Sequence, residues 1–153
     1  CLSDKMCAKL VLLLKGSLRS VTLDTCPLIS SESCKAIGLL ENVEEISLGK
    51  GGMTALTEED LRFLIPSPTT TSIRTGITSN LRSLNLSHLS ILTDATFDYL
   101  LSTKPRLEHL DISATSLTDS SLALLRTMNS NHEGMPLKHL ILQEMRNLSR
   151  SSS

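Results

Sequence analysis

The sequence predicts an α/β fold built as a solenoid of about five βα repeats, with parallel strands on a concave inner face and helices outside. Two patterns predict this fold: an apolar strand pattern that occurs five times, and a helix-start pattern that also occurs five times, in alternation with it. Composition is a third indication, because 40% of the residues are hydrophobic but only 2% are aromatic and none is Trp. The core must therefore be aliphatic, which is typical of stacked repeats.

The strand pattern has the spacing L-x-x-L-x-L, with conservative apolar replacements. Its last two apolar positions alternate with polar ones, as in Leu84-Asn85-Leu86-Ser87, and this alternation predicts a strand with one buried face. The five copies are Leu18/Val21/Leu23, Val43/Ile46/Leu48, Leu81/Leu84/Leu86, Leu107/Leu110/Ile112 and Leu137/Leu140/Leu142.

The helix-start pattern is an apolar residue, then Ser or Thr, then an acid or another polar residue. The hydroxyl can accept a hydrogen bond from a free backbone N–H of the first helical turn, and an acid suits the positive end of the helix dipole. Apolar residues four and seven positions later predict one buried stripe per helix. The caps and stripes are Ser3 with Cys7/Leu10, Ser30 with Cys34/Ile37, Thr57 with Leu61/Leu64, Thr93 with Phe97/Leu100, and Thr118 with Leu122/Leu125.

The caps stand 27, 27, 36 and 25 residues apart, so three of the four intervals agree closely. The long interval contains a Ser/Thr/Pro/Gly-rich stretch, residues 67–80, which we interpret as an inserted flexible loop. A smaller insertion, residues 129–134, precedes the last strand pattern. We expect one repeat domain over residues 1–148, with the 67–80 loop inside it, and a disordered tail over residues 149–153.

Single βα units cannot bury their apolar faces alone, so neighbouring units must stack into one core. Strands repeat at about 4.8 Å, whereas packed helices need about 8–10 Å. The ladder must therefore bend with the strands on the inner side. The βα order makes the sheet parallel.

Charge and hydropathy exclude several functions. The formal net charge of −1, from 15 basic and 16 acidic residues, offers no basic surface for a phosphate backbone. The longest apolar run, from Leu10 to Leu14, is far shorter than the roughly 20 residues that span a bilayer. We therefore expect neither nucleic acid nor a membrane as a partner, and an intracellular protein, cytoplasmic or nuclear.

The four cysteines include no CxxC pair and no His at zinc-ligand spacing. We expect free thiols at Cys7, Cys26 and Cys34, and no metal and no cofactor. Cys34 as a nucleophile would need a nearby His, and its place on the helix stripe favours packing instead. Gly49-Lys50-Gly51-Gly52 lacks the spacing of a phosphate-binding loop, so we interpret it as a flexible turn.

The repeats resemble a known family, the leucine-rich repeats (LRRs) of F-box/LRR proteins, also called cysteine-containing LRRs. The resemblance spans residues 2 to about 145, and Zyg-11-type substrate-receptor LRRs are similar too. In the cysteine-containing type a Cys commonly follows the strand. Here Cys26 fits, but Gly51, Leu89, Thr115 and Met145 stand at the equivalent places. The segments on which the resemblance rests are Leu81-Arg82-Ser83-Leu84-Asn85-Leu86-Ser87, Leu92-Thr93-Asp94-Ala95-Thr96-Phe97, Leu107-Glu108-His109-Leu110-Asp111-Ile112-Ser113 and Leu117-Thr118-Asp119.

This resemblance implies a protein-interaction module that recognises the substrate of a cullin-type ubiquitin ligase. Another segment, outside this chain, would dock on the ligase adaptor. The alternative is an LRR scaffold or adaptor protein with no role in ubiquitination. We do not expect an enzyme, because no nucleophile, base and orienting group occur together in the repeats.

Residues that alternate with the buried strand positions should face the concavity, where a protein partner would bind. A merely solvated sheet face is the alternative, because the aromatic and Arg anchors of binding hot spots are absent. His109 and His139 fall side by side near Asp111, which suggests a metal site or a pH-sensitive contact, but two solvated histidines are the favoured interpretation. The expected binding residues are Glu45, Ser47, Ser83, Asn85, Ser87, His109, Asp111, Ser113, His139 and Gln143.

Overall fold

The structure is a computed structural model that describes residues 2–64, 80–103, 106–130 and 135–149. Helices and strands alternate along these ranges. In chain order they are α1 (Asp4–Leu13), β1 (Ser20–Thr22), α2 (Ser31–Gly38), β2 (Glu45–Ser47), α3 (Glu58–Phe63), β3 (Ser83–Asn85), α4 (Asp94–Ser102), β4 (His109–Asp111), α5 (Asp119–Ser130) and β5 (His139–Ile141).

The five strands form one all-parallel sheet in the order β1-β2-β3-β4-β5. Each strand therefore pairs with the next one along the chain, and each helix from α1 to α4 contacts the helix that follows it. The pairing is in register, so the middle residues stand opposite one another: Val21, Ile46, Leu84, Leu110 and Leu140. The α/β class and the parallel strands predicted from the sequence are confirmed.

The predicted apolar triplets form the core of the molecule. In the second, third and fourth copies every member is buried, from Val43 to Ile112. The last copy differs, because Leu140 is 39% exposed and its neighbours Leu137 and Leu142 are only partly buried. Nothing in the described part of the chain pairs with the outer edge of β5.

Helix caps follow the prediction at most positions. The hydroxyls of Ser3 and Thr93 accept hydrogen bonds from the third residue of their helices, and Thr57 forms a capping box with Asp60. Thr118 accepts from the backbone N–H of Ser120 at 3.3 Å. Ser30 precedes α2 but makes no such bond.

Two predicted helix stripes differ in part from the structure. In α1, Leu10 is 45% exposed, and Val11 takes its expected place in the core beside Cys7. The difference follows from packing, because α1 packs against α2 and turns residues 7, 8 and 11 into the core. In α4 the partly buried Leu100 is accompanied by the fully buried Leu101.

The two predicted irregular segments lie mainly outside the described residues. Of the 67–80 loop only Asn80 is described, and its side-chain amide donates to the carbonyl of Glu41 at 2.9 Å. Of the 149–153 tail only Ser149 is described. Among the helices that the structure describes, none is both long and apolar enough to cross a membrane.

Candidate functional site

The polar face of the sheet consists of the first and third residues of each strand. Strand pairing aligns these residues in two rows, on the side opposite the middle residues, which are buried from β1 to β4. We call this surface the polar strand face. Its first row is Ser20, Glu45, Ser83, His109 and His139, and its second row is Thr22, Ser47, Asn85, Asp111 and Ile141.

Several of the predicted binding residues lie open on this face. Glu45, His109 and His139 are exposed in the first row, while Ser83 is partly buried between them. In the second row Ser47, Asn85 and Asp111 are partly buried, and Gln143 is exposed beyond the end of β5. The structure thus brings seven of the ten predicted residues together in these two rows, and Gln143 is exposed two residues beyond Ile141.

Ser87 and Ser113 differ from the expectation, since they are only 4% and 6% exposed. They lie in the turns that follow β3 and β4. Their hydroxyls accept hydrogen bonds from a neighbouring turn, Ser87 from the Lys50 N–H at 3.4 Å and Ser113 from the Gln143 N–H at 3.0 Å. These two residues hold successive turns together and are not available to a partner.

Side chains of the second row also fix the turns. The Asn85 amide oxygen accepts from the Ser87 N–H at 2.9 Å, and the Asp111 carboxylate accepts from the Ser113 N–H at 3.0 Å. Each bond closes a small side-chain turn two residues long. One oxygen of each side chain is therefore used in a hydrogen bond within the protein. This bond fixes the orientation of the side chain, whose remaining polar atom can still contact a partner.

A left-handed residue occurs at the same place in every turn, two positions after the last apolar residue of each strand pattern. The φ angles there are between 53° and 63°, a region that non-glycine residues rarely adopt. Sequence reasoning missed this feature, because the residue types share no chemistry. They are Thr25, Lys50, His88, Ala114 and Glu144.

The glycine-rich segment after β2 is one of these turns. Lys50, Gly51 and Gly52 all have positive φ, and the Lys50 ammonium lies 3.4 Å from the Asp24 carboxylate. The Asp24 carboxylate in turn accepts from the Gly49 N–H at 3.0 Å. The lysine thus contacts Asp24 of the preceding unit, in agreement with the interpretation of this segment as a turn.

The imidazole rings of His109 and His139 stack face to face. Their centroids are 4.6 Å apart and their planes differ by 5°. Within the described residues no group of three or more His, Cys, Asp or Glu side chains is placed to hold a metal ion. The pair therefore forms a flat aromatic patch on the polar strand face, a possibility that reasoning from the sequence did not consider.

Charged residues of alternating sign precede the strands and form a third row beside the first. Arg19 pairs with Glu44, and Glu108 pairs with both Arg82 at 2.5 Å and Lys138 at 2.6 Å. Hydrogen bonds from Lys138 and Arg82 lower the pKa of the Glu108 carboxyl below its usual value. The alternation of charge is present in the sequence, at the residue before each strand, but it can be recognised only once the strands are aligned.

The first acidic residue of a helix often binds the start of the next helix. The Asp4 carboxylate accepts from the Ser30 N–H at 2.9 Å and the Ser30 hydroxyl at 2.6 Å, and also from the Ser33 N–H at 3.0 Å. Partial burial acts to raise the pKa of Asp4, but these hydrogen bonds outweigh it and lower the pKa to about 2. Asp94 binds Thr118 and Ser121 in the same way, and its pKa is lowered too.

The described cysteines carry free thiols: Cys7, Cys26 and Cys34. Burial, with smaller contributions from the nearby Asp60, Asp4 and Cys7, raises the pKa of the Cys34 thiol to about 12. A thiol of this kind is protonated at neutral pH and is a poor nucleophile. The geometry is that of a packing residue.

A scan against protein-family models finds no match to this chain. A search of curated proteins finds no match either.

Proposed function

We propose that this chain is a leucine-rich-repeat solenoid whose concave surface, the polar strand face, binds a protein partner. The observation that carries this proposal is the strand register. It aligns polar residues from five consecutive strands in the first row and from β1 to β4 in the second, above a sheet whose other face is buried from β1 to β4. Such rows match an extended peptide or a protein surface, because their polar side chains lie side by side along one face of the sheet.

Preorganisation supports the same proposal. Turns fixed by Asn85, Asp111 and the repeated left-handed residues hold the strand ends in place before any partner arrives. A rigid surface loses less conformational entropy on binding, so more of the interaction energy appears as affinity. The stacked His109 and His139 rings add a flat patch suited to an aromatic or amide group of the partner.

The ubiquitin-ligase part of the proposal rests on the resemblance to F-box/LRR and similar substrate receptors. The polar strand face would hold the ligase substrate, and a segment outside this chain would contact the cullin adaptor. An LRR scaffold without a ligase role uses the same surface, so the two versions of the function differ only in the proteins that bind this one.

The experiment is affinity purification of the full-length protein from cells, with a surface variant and a matched control. Glu45→Ala/His109→Ala removes two exposed groups of the first row, while Lys9→Ala/Glu59→Ala removes two exposed charges from the helices. We expect the first variant to lose proteins that wild type and control retain. Identical sets of bound proteins would contradict binding at this face.

The same purification separates the two versions of the function. Cullin adaptors that co-purify with wild type and with the surface variant alike would support a ligase receptor, since the adaptor docks elsewhere. Specific partners without any adaptor would favour the scaffold.

A further inference from the structure

The last strand, β5, is open on both faces and along its outer edge. Its three residues are all exposed, whereas the middle residues of the four earlier strands are buried. Leu140 on the apolar side is 39% exposed, and Ile141 on the polar side is 43% exposed. Among the described residues, no strand pairs with the outer edge of β5. An open edge with apolar side chains on both faces is a template for pairing with another chain.

The backbone of β5 presents an acceptor and a donor along this edge. In β4 the Glu108 carbonyl accepts from the His139 N–H at 2.9 Å, and the Ile112 N–H donates to the carbonyl of the third residue of β5 at 3.2 Å. The equivalent groups of β5 are the Lys138 carbonyl and the Leu142 N–H, which have no backbone partner among the described residues. An added parallel strand reaches both, with the N–H of its first residue and the carbonyl of its third.

An apolar groove lies beside the same edge, on the side of the sheet that faces α5. Its volume is about 140 Å³, and it is lined mainly by Leu122, Leu125, Leu137, Leu140 and Leu142. An aliphatic cavity of about 150 Å³ holds a benzene ring. The middle residue of an added strand faces this groove, because it stands beside Leu140 in the ladder. The groove therefore has room for one large aliphatic side chain at that position.

The polar side of β5 favours flat and apolar side chains. The His139 ring stacks on His109 through one face, and its other face has no ring against it among the described residues. Ile141 stands exposed two residues further along the strand. An aromatic first residue of an added strand extends the stack, and an aliphatic third residue covers Ile141.

The row of alternating charges ends at Lys138. In this row Glu108 lies between two cations and pairs with Arg82 at 2.5 Å and with Lys138 at 2.6 Å. An acidic residue just before an added strand contacts Lys138 from its other side in the same way. A second copy of this chain, added end to end, would place Arg19 there, and the two cations would repel each other. The charges therefore favour a partner segment with an acid over a second copy.

We propose that the outer edge of β5 binds an extended segment of another protein as an added parallel strand. The segment carries an acidic residue, then an aromatic residue, then two aliphatic residues. The acid contacts Lys138, and the aromatic ring stacks on His139. The first aliphatic side chain fills the groove beside Leu140, and the second covers Ile141. Backbone hydrogen bonds give this kind of docking its affinity, and the alternating side chains give it specificity.

The test uses a synthetic peptide, Gly-Glu-Trp-Leu-Val-Gly, blocked at both ends. The protein contains no Trp, so the indole of the peptide reports binding through its own fluorescence. We expect saturable binding, with amide hydrogen exchange of Leu140 and Leu142 slowed by at least about tenfold at saturation. Lys in place of Glu in the peptide should weaken binding by about threefold at low salt, and by less at high salt.

Methylation of single peptide nitrogens tests the backbone pairing. A methyl group on the Trp nitrogen removes the N–H that donates to the Lys138 carbonyl, so it should weaken binding by at least about tenfold. The Leu nitrogen of the peptide points to the opposite edge of the added strand. A methyl group there is the matched control and should change binding by less than about twofold.

Protein variants test the side-chain contacts. Leu140→Ser removes an apolar wall of the groove and should weaken binding by at least about tenfold. Leu124→Ser is the matched control, because Leu124 is 36% exposed on α5 but does not line the groove. Lys138→Glu leaves the apolar contacts in place, and it should reverse the charge preference so that the peptide with Lys binds more tightly than the peptide with Glu.

Three outcomes would overturn the proposal. The first is a folded protein that shows no saturable binding of the peptide, and the second is an equal loss of binding for the two methylated peptides. The third is sedimentation of the protein without peptide as an end-to-end oligomer with the Leu142 amide already protected, because a second copy would then occupy the edge. This site goes beyond partner binding at the polar strand face, which the purification tests with other residues, so the two proposals fail independently.

Discussion

The backbone conformation of individual residues depends more on their place in the repeat than on the intrinsic preference of the residue type. Thr25 is the clearest case, since a β-branched residue holds a φ of 57°. The same turn accepts Lys50, Ala114 and Glu144, so the conformation is imposed by the neighbouring strands and turns. Such a residue stores backbone strain, which a better-suited residue would release.

Replacing Thr25 by Asn should stabilise the protein by about 1 kcal/mol, because Asn adopts the left-handed region more readily than Thr. Thr22→Asn, in the extended strand β1, is the matched control and should bring no gain. Urea denaturation of the two variants measures the difference. Equal effects at both positions would mean that the turn at Thr25 is not strained.

The carboxylate of Asp4 should make stability depend on acidity. Its folded pKa of about 2 lies below the unfolded value of about 3.9, so its contribution is full above pH 4 to 5 and is lost as the pH falls towards 2. Because the group is partly exposed, we expect Asp4→Asn to cost only about 1 kcal/mol at pH 7.

The pH test compares wild type with Asp4→Asn at each pH, which removes the titration of all other groups. Glu59→Gln, an exposed acid in the first turn of α3, is the control and should show a far smaller difference. A wild-type advantage that stays constant down to pH 2 would contradict the role of the Asp4 bonds.

At the scale of elements, consecutive units are joined by contacts that need a particular size of side chain. Gly49 follows β2, and a Cβ atom there would lie 2.5 Å from both the Asn85 amide oxygen and the Ser87 hydroxyl. Both groups belong to the next unit: the Asn85 amide oxygen accepts from the Ser87 N–H, and the Ser87 hydroxyl accepts from the Lys50 N–H. The missing side chain at Gly49 is therefore what lets the turns after β2 and β3 approach.

Gly49→Ala should destabilise the protein by about 1–3 kcal/mol, since the buried turns must shift to admit the methyl group. Gly16→Ala is the matched control, because a Cβ atom at Gly16 has no heavy atom within 4 Å. Thermal or urea unfolding of both variants gives the comparison. A Gly49→Ala protein as stable as the control would show that the two turns are not packed as closely as described.

Sequence reasoning succeeded where a pattern expresses burial directly. The strand register followed from the L-x-x-L-x-L spacing, because alternate residues of a strand must face opposite sides. It failed where the surroundings of a residue, and not its place in the sequence pattern, determine whether the side chain is buried. Ser87 continues the alternation of the exposed strand residues but is buried in the turn that follows, and Leu10 fits its helix stripe yet is 45% exposed. The charge row was equally hidden until the strands were aligned.

At the scale of the whole molecule, the aligned strands separate an apolar face, which is buried from β1 to β4, from the polar face that we propose binds a partner. Leu110 and His109 are adjacent in β4, but Leu110 is 1% exposed while His109 is open on the polar strand face. Folding and recognition should therefore depend on different residues of the same strand. This separation can be measured without knowing the partner.

The most direct measurement is the free energy of unfolding in urea for Leu110→Ala and for Glu45→Ala/His109→Ala. We predict a loss of about 2–5 kcal/mol for the core variant, from lost burial and the cavity left behind. The surface variant should stay within about 0.5 kcal/mol of wild type. A Leu110→Ala protein as stable as the surface variant would contradict the strand register, and with it the polar strand face.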